Sequence, residues 1–130
     1  KYTGWLRKFS DGHRVLYTGF YMVGVTPIRG TPVVKAVFPM PDGNATVVLR
    51  PKLGDDGAFL LESDGNEFGD VGFYRVQQHK GAPMRIWRVG SLRESFRVFV
   101  DNEGIVRCDH QVRYLGFNVL RLHYRIEKIQ

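Results

Sequence analysis

The sequence predicts an all-β domain, an antiparallel meander of about 8–10 short strands that closes or nearly closes into a barrel. Three observations predict it. Turn signals recur at short, fairly even intervals: Ser10-Asp11-Gly12, Pro41-Asp42-Gly43-Asn44, Gly54-Asp55-Asp56-Gly57, Ser63-Asp64-Gly65-Asn66, Lys80-Gly81-Ala82-Pro83 and Asp101-Asn102-Glu103-Gly104. Asp-Gly and Asn-Gly pairs supply the positive φ angles that tight hairpins demand. The segments between them are rich in Val, Ile, Leu, Phe and Tyr, and no window keeps a helical period.

In chain order the expected strands are 2–9, 13–25, 32–40, 44–52, 58–63, 70–79, 84–90, 94–101, 104–115 and 117–127. The connections are too short for crossover helices, so sequence neighbours are expected to pair antiparallel. Gly90-Ser91-Leu92-Arg93-Glu94 could hold one turn of helix. The period-2 pattern is clearest late in the chain. Phe96, Val98 and Val100 alternate with Ser95, Arg97, Phe99 and Asp101. Val106, Cys108, His110, Val112 and Tyr114 oppose Arg107, Asp109, Gln111 and Arg113. Leu120, Leu122, Tyr124 and Ile126 oppose Arg121, His123 and Arg125. Each such strand has one core face and one wet face. Closure is favoured because it removes exposed edge strands, and a barrel of this size either is filled or holds one small ligand.

Residues 1–130 suit a single domain with one real core. No apolar run approaches the roughly 20 residues of a membrane span, and the start shows no signal-peptide pattern. The first residue is Lys1 rather than Met, as in a trimmed or excised chain. A lone cysteine, Cys108, cannot staple the fold and favours a reducing, cytoplasmic setting. The net charge is +6 and uneven: residues 41–72 carry two basic and seven acidic side chains, residues 83–130 nine basic and five acidic. That pattern fits pairing between strands of opposite sign, or a basic surface that attracts an anion, a nucleic acid or a membrane face.

His110 is the most suggestive residue, because the alternation puts an imidazole on an apolar face. There it can act as a general base or donate a hydrogen bond to a ligand oxygen. The plainer alternative is a core histidine satisfied by a neighbouring hydroxyl or carbonyl. Tyr114 is its polar companion on the same face, with a rim aromatic as the alternative. Glu94 joins the face of Phe96, Val98 and Val100 if the alternation reaches the start of that strand. Otherwise it sits solvated in the turn. These three are the candidate catalytic residues. Arg50, Arg75 and Arg88 lie in strands of ambiguous facing, and any that points inward would anchor a carboxylate. Trp87, Tyr124, Tyr21 and Phe96 would supply ligand-binding wall, with Trp5, Tyr17 and Phe73 beside them. His13, His79, His110 and His123 are far apart and show no metal-ligand spacing, so neither a metal nor another cofactor is expected.

These residues carry the first reading: a barrel that binds an apolar small molecule, with or without a carboxylate or carbonyl. Metal-free acid–base catalysis, such as isomerisation, cyclisation or hydrolysis, could accompany binding. Nucleic-acid binding is the second reading, since 9 Phe, 6 Tyr, 2 Trp and a basic balance suit base stacking and phosphate tracking. It ranks lower because the aromatics mostly fall at core positions and no dense basic stripe exists. A third reading is a packed barrel used for protein interaction. Strand count, length, Gly4-Trp5 and the basic last strand Arg121-Leu122-His123-Tyr124-Arg125 give a layout that resembles the calycin barrels, the lipocalins and intracellular fatty-acid-binding proteins. The resemblance implies a calycin-like barrel with an interior for an apolar ligand. The helical lid of the fatty-acid-binding proteins has no counterpart beyond the turn at Asp11-Gly12.

Overall fold

Alternating apolar residues bounded by Gly- and Asp-rich turns produce strands throughout, and the described residues, 1–128, contain no helix. In the computed structural model the strands are β1 (Tyr2–Lys8), β2 (Val15–Val25), β3 (Pro32–Met40), β4 (Gly43–Leu53) and β5 (Phe59–Glu62). They continue as β6 (Gly72–Gln77), β7 (Arg85–Arg88), β8 (Leu92–Val100), β9 (Val106–Tyr114) and β10 (Phe117–Ile126). All ten belong to one antiparallel sheet, whose main path runs β1-β2-β3-β4-β5-β8-β9-β10. The segment at Gly90-Ser91 is a turn, with Leu92 N donating to Val89 O at 3.3 Å, rather than a helix.

The path departs from a simple meander. β5 and β6 are sequence neighbours but do not pair. β4 is long enough for two partners on one edge: Gly43–Val48 faces β6, and Arg50–Leu53 faces β5. β7 continues outward from β6, and β8 returns to pair with β5. The sheet therefore curls into a half-barrel and stays open. β1 and β10 are its two ends and exchange no backbone ladder. The expected closure fails because the branch at β4 diverts two strands from the circumference.

Each sheet face has its own core. On the concave face, Ala36, Val47 and Leu49 are buried, with Val34, Phe38, Leu61, Phe73 and Phe96 packed against them. On the opposite face, Val33, Val48, Val71 and Tyr74 form a smaller cluster. The segment 63–71 crosses that outer face. The Tyr74 hydroxyl donates to Asp70 O at 2.6 Å and accepts from Gly69 N at 3.0 Å. Asp70 is buried and takes hydrogen bonds from Arg50 Nη2 and from its neighbour Val71 N, with Arg29 at 3.7 Å. These bonds and the Arg50 guanidinium hold its carboxyl below the usual aspartate value, against the opposing effect of burial.

Trp5 lies across the concave face of β2, in contact with Tyr17, Tyr21 and Phe38. Gly19 makes room for it: a Cβ there would stand 2.6 Å from the indole and 2.7 Å from Val37 O. The β9–β10 hairpin turns on Leu115 (φ 49°) and Gly116 (φ 87°), the positive-φ pair of a two-residue hairpin loop. Leu115 N also donates to Ser91 O at 2.9 Å and fixes this hairpin to the start of β8.

Candidate functional site

Register decides what meets on the concave face. Phe96 pairs with His110, His110 with Leu122, and Cys108 with Tyr124. The imidazole of His110 stacks on the Phe96 ring with centroids 4.0 Å apart. Glu94 lies on the same face, and its Oε2 is 3.4 Å from His110 Nε2, both side chains being about nine-tenths buried. His110 Nδ1 is 3.3 Å from the Tyr124 hydroxyl. That hydroxyl in turn accepts from Arg7 Nη2 at 2.8 Å. Arg7 reaches it from β1, with its guanidinium over both the Trp5 and Tyr124 rings.

The result is a row, Glu94–His110–Tyr124–Arg7, that bridges the two ends of the open sheet by side chains alone. Its hydrogen bonding is incomplete. His110 Nε2 and Trp5 Nε1 are buried without a hydrogen-bond partner, since the Glu94 contact lacks hydrogen-bond geometry. Burial pushes the Tyr124 hydroxyl up from its ordinary value, with Arg7 opposing. Tyr21 is raised by burial too, and it feels Arg7, Tyr124, Cys108 and Glu94. Both phenols therefore stay protonated at neutral pH and can donate. The Cys108 thiol is also buried and pushed up, which keeps it protonated.

The other sequence candidates lie elsewhere. Tyr114 shares the face of His110 but sits half exposed at the end of β9, where it pairs with Leu92 and Phe117. Arg50 faces outward and is bound to Asp64 and Asp70. Arg88 also faces outward beside Tyr74, where it donates to Gly65 O and keeps a buried, unpartnered Nε. Arg75 is on the concave side of β6, but its guanidinium is taken by Asp42 and by the carbonyls of Asn44 and Val76. Trp87 stands opposite Arg75 and is exposed. The sequence reading missed Arg7. The signal was present, because Thr3, Trp5 and Arg7 alternate onto one face and Trp5 is an evident core residue.

A second depression lies mainly behind this face. An open groove of about 850 Å³ runs over the outer side of β5, β8, β9 and β10, bordered by Glu62, Arg93, Ser95, Gln111, Arg113 and Arg121, with Glu94, Phe96 and His110 of the same strands also in its lining. Asp109 belongs to this outer side, where it meets His123 Nδ1 at 2.6 Å, so it makes no dyad with the inward His110. No group of three or more His, Cys, Asp or Glu side chains suited to a metal ion occurs among the described residues. Among the same residues no helix is long and apolar enough to cross a membrane.

Comparison with protein-family models, with curated proteins and with solved structures returns no match. The described residues form an all-β, ten-stranded open half-barrel, a fold that by itself implies no function.

Proposed function

We propose that the half-barrel binds an apolar small molecule on its concave face and holds a carboxylate or carbonyl oxygen of that molecule at Arg7, Tyr124 and His110. The observation that carries the reading is the incompletely bonded polar row in an apolar wall. A buried imidazole nitrogen and a buried indole N–H without partners cost roughly 1–3 kcal/mol each. A ligand oxygen that accepts from them removes that cost. Around the row, Tyr17, Tyr21 and Phe59 remain partly exposed and offer apolar wall at the open side. Arg7 supplies a permanent positive charge at the seam, and the Tyr124 phenol supplies a neutral donor. His110 beside Glu94 suits proton transfer of the kind that isomerisation, cyclisation or hydrolysis requires.

The test is titration of the protein with a fluorescent long-chain fatty acid and with the corresponding alcohol. Saturable binding is expected, with the acid preferred. His110→Ala and Arg7→Gln should each weaken the acid at least tenfold, about 1.4 kcal/mol, with circular dichroism unchanged. No saturable binding by the wild type, or equal binding by both variants, overturns the reading. A second reading, a protein-interaction domain, is favoured by one observation. β1 and β2 expose large apolar side chains on the outer face as well, among them Leu6, Leu16 and Phe20. Sedimentation showing that these surfaces stay uncovered at micromolar concentration counts against self-association through them.

A further inference from the structure

The outer groove carries an arrangement that the concave site does not explain. Cross-strand register sets its floor: Glu62 faces Ser95, Ser95 faces Gln111, and Gln111 faces Arg121. One step along, Arg93 faces Arg113 directly. Like charges placed opposite each other on one sheet face repel, so this register is unfavourable unless something compensates it. The nearby carboxylates do not. Glu62 and Asp64 are engaged by Lys52, and Asp64 also by Arg50. Asp109 is held by His123 at 2.6 Å, with Arg97 at 3.9 Å. Among the described residues, Arg93, Arg113 and Arg121 have no carboxylate partner.

Arg93 spends its donors on Ser63 O, Gly65 O and Asn66 Oδ1, which keeps its charge in place but leaves it little freedom. Arg113 uses only Nε, donating to Asn118 Oδ1 at 3.2 Å. Among the described residues, its terminal nitrogens, the whole Arg121 guanidinium, and the Ser95 hydroxyl and Gln111 amide have no side-chain partner. A groove of about 850 Å³ thus has unneutralised positive charge beside a row of neutral donors and acceptors. Its size falls in the roughly 300–1,000 Å³ range of small-molecule sites.

We infer that the outer face of β8–β10 binds a small, hydroxylated organic anion. Arg113 and Arg121 take its phosphate or carboxylate, while Ser95 and Gln111 meet its hydroxyl groups. The fork of a guanidinium matches either oxyanion in bidentate fashion, and the anion relieves the Arg93–Arg113 repulsion. A small molecule is favoured over a nucleic-acid strand because acidic side chains border the row, Glu62 at one end and Asp109 alongside. A continuous phosphate backbone would meet both.

The experiment is an NMR titration of the full chain with glycerol 3-phosphate, inorganic phosphate, glycerol and a single-stranded oligonucleotide, at constant ionic strength. Glycerol 3-phosphate is expected to give saturable shifts confined to β8, β9 and β10 around Ser95, Gln111, Arg113 and Arg121. It should bind several-fold tighter than inorganic phosphate, and glycerol alone should give no shifts. Arg121→Gln, at an exposed position that cannot affect the core, should weaken binding about tenfold. Binding should survive Arg7→Gln, whose residue does not border the groove, which separates this site from the concave one. Three results overturn the inference: linear shifts spread over all basic residues, equal binding by Arg121→Gln, and oligonucleotide binding tighter than that of the small phosphate.

Discussion

At Leu115 a bulky side chain occupies a left-handed backbone position, which costs a non-glycine residue roughly 1–2 kcal/mol. The side chain is 65% exposed, so little packing repays that cost. Leu115→Asn should therefore raise stability by about 0.5–1 kcal/mol in urea denaturation, because asparagine tolerates this conformation. Gly19 presents the reverse case. Its missing Cβ is the space that Trp5 fills, and Val37 O closes the other side. Gly19→Ala should destabilise by about 1–3 kcal/mol and alter tryptophan fluorescence, since the indole has to leave its stack between Tyr17 and Tyr21. An unchanged spectrum would show that the ring does not rest there. Neither position was legible in the sequence. Gly19 reads as an ordinary strand glycine until β1 is laid beside β2 in the observed register, where Trp5 faces Gly19.

Among the elements, the segment 63–71 has the clearest pH dependence. It is fastened to the outer face through Asp70, whose carboxyl is held below its ordinary value by Val71 N and by Arg50 and Arg29. A carboxyl lowered in the folded state stabilises the fold fully above its unfolded value, near 3.9, and loses that contribution as pH falls through the folded value. Acid unfolding followed by Tyr and Trp fluorescence should begin below about pH 4. Asp70→Asn should be less stable at pH 7, while the gap from wild type narrows toward pH 2. A constant gap over that range would mean that Asp70 acts by packing rather than by charge. The strand boundaries themselves followed from turn chemistry and alternation, and all ten strands lie close to their expected positions. The partner of each strand did not follow. Pairing of sequence neighbours fails at β5–β6 and at β7–β8, because an 11-residue β4 has room for two partners along one edge.

Across the whole molecule, the side-chain seam between β1 and β10 replaces a closing ladder. Arg7 and Tyr124 are the two residues that touch across it by a hydrogen bond. Tyr124→Phe should leave the strands in place but remove the acceptor for Arg7 and the partner of His110 Nδ1. The expected result is a loss of about 1–2 kcal/mol and faster amide exchange in β1 and β10, with β3 and β4 unaffected. Uniform protection in both ends of the sheet would show that the seam does not hold them.

The amino-acid sequence by itself determined the strands, their facing in the last third, and the inward position of His110 with Phe96 and Tyr124. These depend on local turn chemistry and a two-residue period, both of which act over a few positions. Only the tertiary structure decided that the sheet stays open, that Arg7 meets Tyr124 and that Arg50 and Arg88 face outward. It also decided that Arg93 and Arg113 share a register while the groove lies behind the histidine. Those outcomes depend on which edge of β4 each later strand chose, a choice between distant segments that no local pattern encodes.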